Sequence, residues 1–184
     1  MYKEKTNKLM LGIAKTLSED TKCKKLKVGA VIVRDKRIIS SGVNGSLKNF
    51  SNKCEDTFIE CPKCGKFIPT EDFNENETLS NMLSYNCDCN YRLNYEEENF
   101  KRRFIYNTLP HIIHAEENAI IFAAKHGINI DDSSIYVTHL PCMSCARMII
   151  ASGIKEVFYI DEYKNDDSKK LFKDNNIKIR QMEI

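Results

Sequence analysis

HAEENAIIFAAKHGINIDDSSIYVTHLPCMSCARMIIASGIKEVFYI, residues 114–160, is the stretch whose hydrophobic rhythm decides the fold. The rhythm predicts a helix from about His114 to His126, a strand from Ser134 to Thr138, a helix from Cys142 to Ala151 and a strand from Glu156 to Ile160. Upstream, Leu9, Met10, Ile13, Ala14 and Leu17 recur at helical spacing, so an opening helix runs from Met1 to about Leu17. Two short β-branched runs follow, Val28 to Val33 and Arg37 to Val43, with a turn at Asp35 and Lys36, which is a hairpin signal. Downstream, a helix near Asp167 to Lys173 and a strand near Ile177 to Gln181 complete the chain. Helices alternating with strands after a hairpin argue for an α/β fold, with a mixed sheet of about five strands covered by helices on both faces.

The 184 residues fit one domain, 1–184, able to bury a core and carry an insertion. That insertion, at about 46–110, lies in the stretch from Asn44 to Pro110, which is polar, rich in Asn and Glu, and holds five of the eight cysteines. A loop of this length inside a compact domain needs something to order it, and a metal is the obvious candidate. With 28 basic against 26 acidic residues there is no overall positive field for a phosphate backbone, so nucleic acid is a weak partner. Lys22, Lys24, Lys25 and Lys27 form the one basic run, best read as a solvated turn. No apolar segment reaches the roughly 20 residues that span a bilayer, and the first residues lack a signal-peptide layout. The expectation is a cytoplasmic protein without a membrane partner.

The residues that carry chemistry are His114 and Glu116, followed by Pro141, Cys142 and Cys145. One imidazole nitrogen and two sulfurs are three ligands of the kind a hydrolytic zinc site uses, with the fourth position left open. Cys142 and Cys145 lie three apart at the start of a helix, hence on one face and in its positive end, where thiolates are favoured. His114 and Glu116, two apart, would point about 200° from each other in mid-helix. They converge only if the helix begins here, which agrees with Pro110 just upstream. Glu116 is then free for proton transfer. A closed zinc site or plain core thiols would leave it without a role. His126 and His139 read as helix-end and strand-end residues, and Glu117 as a solvated surface acid.

The pattern H-x-E followed by P-C-x-x-C is the signature of the zinc deaminases. More narrowly, the chain resembles deoxycytidylate (dCMP) deaminases within the wider cytidine deaminase superfamily. The resemblance runs from about Cys23 to Val43 and from His114 to near Ile160. It is carried by Lys27-Val28-Gly29-Ala30-Val31-Ile32-Val33, by Gly42-Val43-Asn44-Gly45, by His114-Ala115-Glu116-Glu117-Asn118-Ala119-Ile120, and by the run from Ala151 to Glu156. Val43 stands where the family has Tyr, and Leu47 where it has Pro. The resemblance implies a three-layer α/β/α cytidine-deaminase-like fold with an inserted zinc-binding loop region. It further implies hydrolysis of dCMP to dUMP and ammonia, supplying dUMP for thymidylate synthesis. His114, Cys142 and Cys145 would hold a catalytic zinc, while Glu116 would take the proton from water, deliver it to ring N3 and protonate the departing amino group. Lys27 and Asn44 would contact the nucleotide, and the main-chain N–H of Ala115 the pyrimidine O2. Asn44-Gly45 has a plainer reading too, as a tight turn. The same resemblance implies a homo-oligomer, commonly a hexamer, with dCTP and dTTP as effectors.

Cys61-Pro62-Lys63-Cys64-Gly65 resembles a zinc knuckle, with Cys87-Asp88-Cys89 as its partner. A structural zinc on Cys61, Cys64, Cys87 and Cys89, giving a second ion beside the catalytic one, is favoured over four free thiols exposed to oxidation. The resemblance also implies a further metal site on Cys23 and Cys54 with His111, against which ordinary buried thiols are the stronger reading. Two competing functions remain at this stage. One is deamination of cytidine, deoxycytidine or tRNA adenosine, the last of which would want a basic face. The other is a zinc-stabilised binding module with an inactive core, against which an intact Glu116 speaks.

Overall fold

The computed structural model describes residues 2–69, 85–93, 104–163 and 167–184. The chain divides into a core unit, Met1–Asn52 with His111–Ile184, and an insertion unit, Lys53–Pro110. In chain order the elements begin with α1 (Tyr2–Ser18), β1 (Gly29–Arg34), β2 (Arg37–Val43) and β3 (Gly45–Ser46). The insertion unit carries β4 (Glu55–Glu60), β5 (Phe67–Pro69), β6 (Tyr85–Asn86), β7 (Arg92–Leu93) and β8 (Phe104–Thr108). The core resumes with β9 (Ile112–Ile113), α2 (Ala115–Lys125), β10 (Ser134–His139), α3 (Met143–Ala151), β11 (Glu156–Asp161), α4 (Asp167–Asp174) and β12 (Lys178–Gln181).

The core sheet has five strands in the order β12-β11-β10-β1-β2. β10, β11 and β12 are parallel, and β1 runs antiparallel to both β10 and β2, so the sheet is mixed. Alternation along the strands sorts the side chains between two faces. Val31, Val33, Tyr136 and Phe158 point to α1 and pack on Met10, Leu11 and Ala14. Ala30, Ile32, Ile135, Val137, Val157 and Tyr159 point the other way, onto residues of α2, α3 and α4. Helices on both faces make the three layers that the sequence implied. Burial of side chains such as Phe158 and Ile135 contributes roughly 1.5–3 kcal/mol each.

The β1–β2 hairpin turns through Asp35 and Lys36, at φ 51° and 63°. Two consecutive residues at positive φ are the tight turn whose twist matches that of paired strands. The helix α2 buries alanines at 115, 119 and 123, one per turn, and so lies low on the sheet. Gly42 of β2 faces it, and a Cβ there would come within 2.4 Å of Ala115 O and 2.6 Å of Ala119 N. This contact sets the height of the first turn of α2.

The insertion unit holds a three-stranded antiparallel sheet, β5-β4-β8, and the β6–β7 pair. The sequence reading gave this region no strands, because pieces this short and polar carry no hydrophobic period. Residues 46–52, which that reading placed inside the insertion, belong to the core unit. Parts of the insertion, 70–84 and 94–103, lie outside the described residues. Among those described, no helix is long and apolar enough to cross a membrane.

Candidate active site

The short ladder of β3 with β9 pairs Gly45 with Ile113 and Ser46 with Ile112, and so delivers the chain to His114. His114 is the N-cap of α2, with extended backbone at φ −78° and ψ 158°. The helix therefore begins at Ala115, as convergence of His114 and Glu116 required. The start is held from three directions. Glu117 reaches back to accept from the His114 N–H at 3.4 Å. Asn118 donates from Nδ2 to Val43 O at 3.0 Å, tying the turn to the end of β2. Ser40 donates to Ala119 O at 2.6 Å.

Glu117 is thus a capping carboxylate rather than the solvated surface acid expected from the sequence. It was missed because a capping box is recognised by Ser or Thr at the N-cap, and here His occupies that place. Asn118 was quoted with the helix motif, but no rule of spacing assigns it a partner in β2.

Cys142 is the N-cap of α3, at φ −67° and ψ 168°, so the helix starts one residue later than predicted, at Met143. Cys145 lies in the first turn and is buried. The ring nitrogen Nδ1 of His114 stands 3.6 Å from Cys142 Sγ and 3.4 Å from Cys145 Sγ. All three ligand atoms lie within 4.8 Å of one another. The hydrogen bond from Cys145 is the largest influence on the Cys142 thiol and, with the imidazole, brings it down to about 3. Cys145 is pushed the opposite way, first by Cys142 itself and then by burial. The imidazole rises above its ordinary range, mainly through its bond to Cys142. One nitrogen and two sulfurs converge here, and a cation is what lets both sulfurs be thiolates at once. The donor set fits zinc with a position left open.

Glu116 is 4% exposed, and burial pushes its carboxyl up to about 7, partly offset by the His114 charge. A carboxyl that titrates near neutrality beside a three-donor site is placed to move protons in both directions.

Ala115 is fully buried at the first position of α2, where a main-chain N–H has no partner within the helix. The Asn44 amide spans the preceding loop, accepting from Val28 N and donating to Leu26 O, both at 2.8 Å. Lys27, between those two residues, is half exposed and pairs with Glu19 at 3.4 Å. His126 is the C-cap of α2 and His139 ends β10, as expected. Cys61, Cys64, Cys87 and Cys89 come together in the insertion unit. Cys23 is buried in the core unit and Cys54 in the insertion unit. His111 stacks on Phe50, with ring centroids 4.8 Å apart.

Comparison with known proteins agrees with this geometry. Residues 3–161 match the family described as the cytidine and deoxycytidylate deaminase zinc-binding region. ComE operon protein 2 of Bacillus subtilis (strain 168) is 30% identical over 97% of this chain and 71% of its own. The deoxycytidylate deaminase of Enterobacteria phage T2 is 35% identical over 84% of this chain and 79% of its own. A crystal structure of dCMP deaminase from the cyanophage S-TIM5, in complex with dCMP and dUMP, superposes with a TM-score of 0.67. It has 25% identity and covers 97% of both chains. A five-stranded mixed sheet between helices, the His114, Cys142 and Cys145 cluster with its buried Glu116, and the match over residues 3–161 lead to one assignment: the chain belongs to the cytidine and deoxycytidylate deaminase family.

Proposed function

We propose that this protein is a zinc-dependent hydrolase that converts dCMP to dUMP and ammonia, with the core unit as the deaminase domain and residues 53–110 as an insertion in it. The observation that carries the reading is the buried Glu116 beside the His114, Cys142 and Cys145 cluster. These three residues would hold a catalytic zinc, and Cys61, Cys64, Cys87 and Cys89 a structural one. Zinc, when bound, lowers the pKa of water to about 7 and so makes a nucleophile available at neutral pH. Glu116 takes the first proton that water gives up and hands it to N3 as the oxygen adds to C4; it then takes the second proton, from the C4 hydroxyl, and delivers it to the amino group as the C4–N bond breaks and ammonia leaves. Burial makes the carboxyl more basic for the first task and keeps its protonated form available for the last.

The nucleotide is held by the loop before β1. Asn44 fixes the backbone on either side of Lys27, so the lysine is presented by a braced loop. A substrate phosphate would compete with Glu19 for its ammonium group. The N–H of Ala115 is offered to the pyrimidine O2, and the Asn44 amide to the sugar or phosphate. Charge-assisted contacts are roughly twice as strong as neutral ones, so removing the phosphate is expected to cost more than about tenfold in kcat/KM. Ammonia release from dCMP and deoxycytidine side by side measures this. Equal efficiency on the two would move the activity to a nucleoside deaminase.

The reading extends to a homo-oligomer, hexameric as in the family's common form, with dCTP and dTTP as effectors. Exposed Ile121 and Phe122 on α2, at 48% and 45%, support assembly through that helix. Light scattering gives the subunit number, and dCMP turnover with added dCTP or dTTP tests the regulation.

A further inference from the structure

We infer that Cys61, Cys64, Cys87 and Cys89 form a closed four-thiolate zinc site built from two knuckles of equivalent geometry, and that this ion takes the place of a hydrophobic core in the insertion unit. The inference rests on the two-zinc reading above and gives the second ion its coordination and its task.

The sulfurs are spaced for a metal. Cys61 Sγ lies 3.6 Å from Cys89 Sγ and Cys64 Sγ 3.5 Å from Cys87 Sγ, with all four within 4.8 Å of one another. Four sulfurs about 2.3 Å from a tetrahedral zinc would be about 3.8 Å apart, whereas a disulfide needs about 2.0 Å. Four soft donors leave no position for water, in contrast to the one-nitrogen, two-sulfur set around His114.

The two cysteine pairs differ in sequence but turn in the same way. After β4, Cys61 N–H donates to Lys66 O at 2.9 Å, and Gly65 N–H returns to Cys61 O at 2.8 Å. After β6, Cys87 N–H donates to Tyr91 O at 3.0 Å, and Asn90 N–H returns to Cys87 O at 2.8 Å. In each turn the residue after the second cysteine has a left-handed backbone, Gly65 at φ 71° and Asn90 at φ 61°. Glycine takes that conformation freely, and asparagine is among the side chains that tolerate it best. The second pair is therefore a knuckle shortened by one residue, with Asn in the glycine's place. Lys66 pairs with Asp88 at 3.2 Å and Lys63 donates to Cys89 O at 3.4 Å, so each crosses between the turns.

Among the residues of the insertion unit whose side chains are described, Ile59 is the one buried aliphatic, and the other buried residues are Cys54, Glu55, Cys61 and Cys87. A sheet with so little apolar burial does not offset its ordering entropy, and metal binding coupled to folding does.

The test uses the full-length, reduced protein loaded with zinc or with cobalt. Cys61→Ser with Cys64→Ser is expected to lower bound zinc by one ion per chain, abolish the four-thiolate cobalt charge-transfer band and open residues 53–110 to protease. Cys142→Ser with Cys145→Ser should lose the other ion and keep that band. Cys64→His, which restores a ligand, should retain the metal that Cys64→Ser releases. Unchanged zinc content in the Cys61, Cys64 double variant, or a cobalt spectrum of the unmodified protein without four-thiolate character, would overturn the site. Absence of dCMP turnover with these metal readouts intact would count against the proposed activity alone.

Discussion

Glu116→Gln is expected to keep the catalytic zinc and to lower kcat by at least about 10³-fold. The amide preserves size and leaves His114, Cys142 and Cys145 untouched, so metal content should not change. It cannot carry a proton. General acid–base catalysis typically contributes about 10² to 10⁴-fold, and here one carboxyl serves several transfers, so the loss belongs at the upper end of that range. Its burial suits it to the task, because a carboxyl pushed up toward neutrality is readily both protonated and deprotonated at working pH. Steady-state kinetics with zinc analysis on the same sample checks the outcome, and a variant retaining a third of the unmodified rate would remove Glu116 from the mechanism.

Gly42→Ala is expected to damage both stability and turnover. The added carbon would meet Ala115 O at 2.4 Å and Ala119 N at 2.6 Å, both main-chain atoms of α2 that cannot swing aside. Overpacking costs about 1–3 kcal/mol, and with two backbone obstacles the upper value applies. For a chain of this size that corresponds to a fall of about 6–12 °C in Tm. Lifting the first turn of α2 also moves Glu116 relative to the thiols of α3, so turnover should fall more than stability accounts for. Gly45→Ala is the control, since a Cβ there meets nothing within 4 Å. Calorimetry of the two variants, with dCMP turnover measured well below the transition, separates them; equal melting temperatures would show that α2 is not seated on Gly42.

Most of the fold was legible because hydrophobic period survives in the sequence. The strands β1, β10 and β11 are each buried on both faces and read as apolar runs, and the helices between them keep their own period. The start of α2 was legible for a chemical reason: two side chains two apart can share a centre only at a helix end. What escaped was whatever depends on a partner distant in sequence. Glu117 looks like any surface acid until His114 is seen to be the N-cap. Asn44 was read by resemblance as a nucleotide contact, and the bonds by which its amide braces Leu26 and Val28 were not legible. The strands of the insertion were invisible because they are short and polar and carry no hydrophobic period, and the short second pair, Cys87-Asp88-Cys89, hides its equivalence to the first until the backbone at Asn90 is known.

The central claim is that Glu116 and the His114, Cys142 and Cys145 centre hydrolyse dCMP. Incubating the zinc-loaded protein with dCMP in heavy-oxygen water tests it most directly. The account predicts one ammonia released for each dUMP formed, with the solvent oxygen at C4 of the product, and no release after the metal is stripped. Intact dCMP recovered from the fully zinc-loaded protein, or dUMP without solvent oxygen at C4, would contradict it.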